Sequence, residues 1–274
     1  MRIESHQHFW QFNPVRDAWI DSSMEKIAKD FKPKDLKPLL EQCKMDGCVA
    51  VQADQSETET EFLLKLAEQN PFIKGVVGWV DLSSNDLSER LEFYSKNPLF
   101  KGVRHILQAE KKGFMLQDSF LKGISQLKNF NLTYDILIYP HQLIEARTLV
   151  EKNPEQAFVL DHLAKPYIKD QKIDDWSTHI RKLAKHKNVY CKLSGMVTEA
   201  DWNHWRAQDF KKYLTVALEA FGSDRLMFGS DWPVCLLAGS YQHVVKIIDL
   251  FIEELKPEEQ NKIMGENAIN FYKL

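Results

Sequence analysis

Apolar residues along the chain gather in eight short runs, separated by longer stretches in which they return every three or four positions. The runs are RIESHQHF (2–9), GCVAVQA (47–53), IKGVVGWV (73–80), KGVRHIL (101–107), TYDILIY (133–139), AFVLDHL (157–163), NVYCKLSG (188–195) and RLMFGSDW (225–232). Their length and their content of Val, Ile, Leu and aromatic residues predict strands. The stretches between them, among them TEFLLKLAEQN (60–70), DSFLKGISQLKNF (118–130), IEARTLVEKN (144–153) and DFKKYLTVALEAFG (209–222), predict helices with one apolar face. Some of them close on Asn or Gly, as helix C-termini do. Strand and helix alternating in this way predict an α/β chain wound into a parallel (β/α)8 TIM barrel, with one domain over residues 1–274. An open, doubly wound sheet is the rival, but no GxGxxG or P-loop marks the crevice it would need. No repeat, low-complexity tract or linker divides the chain.

A barrel of this kind carries its chemistry at the C-terminal ends of its strands, which puts the polar residues of the runs to a test. Of nine histidines, His6, His8, His105, His141 and His162 fall at or just beyond predicted strand ends, while His179, His186, His204 and His243 lie between the runs. Arg104, Lys192 and Asp231 stand where a purely structural strand would carry Val, Ile or Leu. Side chains two apart on a strand share a face, so His6 and His8 present two imidazoles in one direction and Gln7 faces the other. These positions ring one mouth of the predicted barrel. His141 directly follows Pro140 and fits the solvated start of a helix nearly as well.

Composition narrows the function classes. The 274 residues are 44% hydrophobic and 27% charged, ordinary values for a globular enzyme. With 36 basic and 39 acidic residues mixed along the chain and a net charge of −3, no basic stripe exists to neutralise a phosphate backbone, and nucleic acid is not an expected partner. No apolar run approaches the ~20 residues of a membrane span, and a first strand from Arg2 leaves no room for a signal peptide, so the expected location is the cytoplasm. Cys43, Cys48, Cys191 and Cys235 show neither metal-type spacing nor a disulfide framework and are expected as buried free thiols.

ESHQHFW at the start, FKGVRHILQ (100–108), TYDILIYPHQL (133–143), FVLDHLAKP (158–166), KLSGMVTEA (192–200), FGSDRLMFGSDWPV (221–234) and the closing GENAINFYKL together resemble the amidohydrolase superfamily. Within it they are similar to the branch of sugar-acid lactonases that includes L-fuconolactone and L-rhamnonolactone hydrolases. The resemblance spans nearly the whole chain. It implies that His6 and His8 are a metal-ligand pair and that Asp231 accepts a proton from the attacking water and touches the metal. It implies that His162 completes the ligand set or assists the base, and that Arg104 holds a substrate oxygen. The implied cofactor is a divalent ion, zinc first. Some lactonases of this branch keep the histidines and work without metal, so occupancy and catalytic need are separate expectations.

Further substrate contacts are expected from Gln52, His105, Tyr139 and Lys192, with Trp232 or Trp79 offering a flat face to a sugar ring. The expected activity is hydrolysis of a sugar-derived lactone by Asp-activated water, with a small-molecule lactone as partner and self-association left open. Two alternatives stand beside it: another amidohydrolase reaction, such as non-sugar lactone hydrolysis or decarboxylation of an aromatic acid, and a non-catalytic binding barrel.

Overall fold

Eight parallel strands follow one another around a single sheet in the order β1-β2-β3-β4-β5-β6-β7-β8 in the computed structural model, which describes residues 1–274. They are β1 Ile3–Gln7, β2 Gly47–Val51, β3 Ile73–Gly78, β4 Phe100–His105, β5 Thr133–Ile136, β6 Phe158–Leu160, β7 Val189–Leu193 and β8 Leu226–Phe228. The main helices are α1 Pro33–Gln42, α2 Glu57–Gln69, α3 Leu87–Ser95, α4 Asp118–Leu127, α5 Leu143–Lys152, α6 Asp174–Leu183, α7 Ala207–Phe221 and α8 Tyr241–Ile252, followed by α9 Pro257–Asn261 and α10 Asn267–Tyr272. The predicted TIM barrel is the observed fold. Each strand run holds a strand, and each predicted helix matches an observed one to within a few residues at its ends. No helix is long and apolar enough to cross a membrane.

The seam between β8 and β1 closes the sheet. His8 N–H donates to the Trp232 carbonyl (2.7 Å) and Asp231 N–H to the His6 carbonyl (2.8 Å). Closure therefore ties the HxH strand directly to the segment carrying Asp231.

Alternation sorts the strand side chains. Residues such as Cys48, Tyr134, Phe158, Cys191 and Phe228 face outward and pack against the helices. Ile3, Val49, Val51, Val77, Val159 and Met227 face inward and form a dry lower layer. The N-terminal end of the barrel is plugged by α10, whose Ala268, Phe271 and Tyr272 join that layer. All four cysteines are free; Cys43 is half-buried and the other three are buried.

Candidate active site

One extra residue in β1 decides which way the histidines point. Glu4 pairs with Cys48 and Gln7 with Ala50, so β1 advances three positions while β2 advances two. A bulge of this kind flips the parity of the residues beyond it. Ile3 faces inward, and strict alternation from it would have sent Gln7 into the barrel and the histidines out. Instead His6 and His8 are inside, and Gln7 reaches outward to Cys48 (3.4 Å).

Glu4 secures the bulge. Its Oε1 accepts the N–H groups of His6 (2.9 Å) and Ser230 (2.8 Å), the neighbours of the two functional segments across the seam. Burial raises its carboxyl to about 7, against the pull of these two amides. The approach of β8 to β1 at this seam requires a glycine, because a Cβ on Gly229 would stand 2.7 Å from that of His6.

Asp231 sits at a corner with φ +60°, an uncommon conformation for a non-glycine residue. Its Oδ1 lies 3.2 Å from His8 Nε2, 3.8 Å from His6 Nε2 and 3.9 Å from His162 Nε2. Burial pushes its carboxyl up, but the neighbouring His162 and His8 imidazoles outweigh that and leave it below the usual carboxylate range. It is an anion at neutral pH.

His162 reaches this point through a short turn of opposite hand. Residues 162–165 all have positive φ, 51° to 57°, a sequence of left-handed residues that L side chains adopt at a cost. The turn is pinned by His162 Nδ1 on Ser194 Oγ (2.8 Å) and by Trp176 Nε1–H donating to the Leu163 carbonyl (2.7 Å). It turns both His162 and Lys165 into the cavity. Gly195, with φ +63°, gives His162 room, since a Cβ there would stand 2.6 Å from the imidazole.

Beneath these groups lies a buried ionic layer. Arg104 from β4, Asp135 from β5, Asp161 just after β6 and Lys192 from β7 are all buried, and two cations balance two carboxylates. Lys192 Nζ contacts Asp135 Oδ2 (2.5 Å), Asp161 Oδ1 (2.9 Å) and His6 Nδ1 (3.1 Å). Arg104 Nη1 donates to Asp161 Oδ2 (3.1 Å) and lies 3.3 Å from His6 Nε2. Burial raises Asp135 to about 6 even beside Lys192, while Asp161, flanked by both cations, falls below the usual range despite its burial. Burial and the adjacent positive charge of Lys192 drive His6 well below its ordinary value, and burial does the same to His162. Both imidazoles are neutral at pH 7.

Above the layer opens a cavity of about 500 Å3, a size suited to a small organic ligand. Its floor carries His8, Arg104, His162 and Asp231, and its walls include Trp10, Trp19, Trp202, Met24, Leu137 and Leu237. Tyr139, Gln108 and the Lys165–Glu199 ion pair (3.4 Å) add polar groups.

The structure thus gathers His6, His8, His162, Asp231, Arg104 and Tyr139 at or just under one mouth, but it places several expected contacts elsewhere. Lys192 is wholly enclosed in the ionic layer and does not reach the cavity, so direct substrate binding by it is corrected to a supporting position. His105 points out of the barrel, because its neighbour Arg104 points in; it stacks on Phe114 and bonds Glu110 (2.9 Å), and the Trp79 indole N–H reaches it. Trp232 packs between Phe9 and Phe31, away from the cavity, and offers no face to a sugar. Gln52 is buried and serves Arg104, whose N–H groups are taken by the Gln52 carbonyl and side chain, Asp161 and His6. The cavity feels the charge of Arg104 rather than a free donor. His141 is exposed and stacks on Tyr139 outside the cavity.

Glu4, Asp135, Asp161, Lys165, Ser194 and Glu199 were not singled out from sequence as functional. For Glu4, Asp135 and Asp161 a signal existed, since each is a lone carboxylate inside an apolar run. Lys165 and Glu199 stand in loops, and only the tertiary fold brings them together.

The donor set fits a metal ion. His8 Nδ1–H is spent on the Val51 carbonyl (2.7 Å), which leaves Nε2 facing Asp231 Oδ1 (3.2 Å) and His6 Nε2 (3.3 Å). Electron-rich atoms converging so closely call for a proton or cation among them. Donors held ~2.0–2.1 Å from a tetrahedral zinc stand about 3.3 Å apart, in keeping with these separations. His6, His8 and Asp231 form one such cluster, and His6, Asp161 and His162 a second that overlaps it.

Comparisons with known proteins agree with this geometry. The L-fucono-1,5-lactonase of Burkholderia multivorans is 39% identical over 286 residues, covering 100% of this chain and 96% of its own. The L-fucono-1,5-lactonase of Burkholderia ambifaria is 34% identical over 281 residues, again covering 100% of this chain and 96% of its own. A crystal structure of an amidohydrolase from Burkholderia multivorans with bound Zn superposes with a TM-score of 0.97 at 38% identity, covering 100% of this chain and 99% of that one. The family model described as amidohydrolase matches residues 3–274, and the chain belongs to the amidohydrolase family.

Proposed function

We propose that the protein hydrolyses a sugar-derived lactone, of the L-fucono- or L-rhamnono-lactone kind, to its aldonic acid. The observation that carries this reading is the ionised Asp231 carboxylate, held among three histidines on the floor of an otherwise largely apolar cavity. Such a group is suited to act as a base. The two L-fucono-1,5-lactonases similar over the full length support the substrate class.

In this reading Asp231 takes a proton from water as the water oxygen attacks the ring carbonyl. Charge gathering on the carbonyl oxygen is met by the positive field of Arg104 and Lys165. Collapse of the tetrahedral intermediate breaks the ring C–O bond, and Asp231 returns the proton to the departing oxygen. No covalent nucleophile is needed. The tryptophan walls exclude water and pack on the C–H face of the ring, while Tyr139, Gln108 and Lys165 stand ready for its hydroxyls. His6, His8, Asp231 and His162 would hold a zinc ion, whose contribution when bound is Lewis-acid polarisation of the carbonyl oxygen.

A pH-indicator assay across hexono- and pentono-lactones tests the reading, with acid release above the spontaneous rate as the expected result. The apolar walls also suit an aromatic ring. Turnover of an aromatic carboxylate with failure on every sugar lactone would move the assignment to decarboxylation.

A further inference from the structure

The C-terminal segment enters the barrel from the end opposite the substrate cavity and reaches the ionic layer. Tyr272 of α10 is buried, and its hydroxyl donates to Asp135 Oδ2 at 2.8 Å. Its ring lies under Lys192, with Nζ 5.6 Å from the ring centroid. The same Asp135 oxygen takes the Lys192 ammonium at 2.5 Å, and the other oxygen, Oδ1, is buried without a partner. Asp135 is therefore steered through one oxygen by two donors. Without the Tyr272 hydroxyl, only Lys192 would hold it, and the carboxylate could swing to satisfy its idle oxygen.

Lys192 in turn faces the ring nitrogen of His6 that points away from the cavity. His6 Nδ1 faces the Lys192 ammonium at 3.1 Å and Nε2 faces an N–H of Arg104 at 3.3 Å, and a neutral imidazole can accept at only one of the two. When Lys192 donates, Nδ1 carries the lone pair and Nε2 the proton. When Arg104 donates to Nε2 instead, Nε2 carries the lone pair and Nδ1 the proton. The placement of Lys192 thus sets the balance between two states of the imidazole, a form of control typical of the group behind a functional histidine.

We propose that Tyr272 is a positioning residue of the active site, acting through Asp135 and Lys192 to fix the orientation and tautomer of His6. The chain's last helix is then a working part of the site as well as a plug. This builds on the lactonase reading, but one of its readouts needs no substrate.

Tyr272→Phe keeps the ring and its packing and removes only the hydroxyl. The expected result is a fall in kcat on the order of 10-fold with KM within about twofold, because nothing touching substrate has changed. In 15N-histidine-labelled protein the two His6 ring nitrogens, assigned by loss of their signals in His6→Asn, should move in Tyr272→Phe. Ile269→Ala, in the same helix but half-buried and outside the ionic layer, serves as the structural control. It should lower Tm and leave kcat and the His6 shifts unchanged. In an Asp135→Asn background the route is already cut, so adding Tyr272→Phe should cost nothing more. Unmoved His6 nitrogens in Tyr272→Phe, or losses of kcat that multiply independently in the double variant, would overturn the proposal. If no lactone is turned over at all, the functional reading fails while the nitrogen shifts still decide this one.

Discussion

Glu4→Gln isolates the electrostatic cost of the bulge that turns the histidines inward. The carboxyl is fully buried, and its Oε1 accepts the His6 and Ser230 amides, a task a glutamine carbonyl can take over. Its Oε2 is buried without a partner. A glutamate at about 7 in the fold against 4.5 when free binds its proton more tightly in the folded protein. Its contribution to stability is therefore fully present below about pH 4.5 and is lost as pH rises through about 7, a change of about 3 kcal/mol. Glutamine does not titrate, so the variant escapes that loss. At pH 5 the two proteins should unfold at nearly the same temperature. At pH 8.5 the variant should be the more stable by up to about 3 kcal/mol, about 5–10 °C in Tm for a chain of this size. Thermal unfolding followed by circular dichroism at a series of pH values measures the difference between the two curves, in which every other titrating group cancels. A difference that does not vary with pH, or a variant less stable at pH 8.5, would show that Glu4 is ionised throughout and that its amide contacts outweigh its burial.

Two further outcomes test the site directly. Asp231→Asn keeps shape and hydrogen bonding but cannot take the water proton, so kcat should fall by at least ~100-fold with Tm little changed; near-normal turnover by a folded variant would assign Asp231 to structure. Zinc added to chelator-stripped protein should raise Tm, by about 2.7 kcal/mol of stability at a hundred times its dissociation constant, and the rise should vanish in a His6→Ala/His8→Ala variant. Equal shifts in both proteins would place the ion elsewhere, and full activity with no shift would leave the histidines as hydrogen-bonding groups for the lactone.

The eight strands were legible because apolar runs punctuated by helical periodicity leave few architectures open, yet the runs overshoot the strands at their C-terminal ends. RLMFGSDW is strand only over Leu226–Phe228, and AFVLDHL only over Phe158–Leu160. Apolar content reports burial, not hydrogen bonding, and at this mouth the turns carrying Asp231 and His162 are as buried as the strands that precede them. That two histidines at i and i+2 share a face was readable from β1 alone. That the face is the inner one depends on the extra residue between Glu4 and Gln7, which alternation does not reveal. Alternation did hold the means to separate Arg104 from His105, since neighbours on a strand cannot both face the barrel axis.

The four charged residues of the ionic layer carried the plainest signal of what the sequence left implicit. A lone charge inside an apolar run is too costly to bury unpaired, so Arg104, Asp135, Asp161 and Lys192, lying on four successive strand runs, must find partners within the barrel. The two cations and two carboxylates balance one another, with Gln52, His6 and Tyr272 taking their remaining contacts, which removes Lys192 and most of Arg104 from the pool of substrate contacts. Their partner choice is a matter of tertiary position. Tyr272, arriving from the far end of the chain, is the member that no local pattern could have supplied. Such a layer is weak evidence for stability, because desolvation cancels much of its Coulombic gain. Its worth lies in fixing where His6 stands, since His6 and Asp231 meet at the last seam of the barrel and His6 is held there from below.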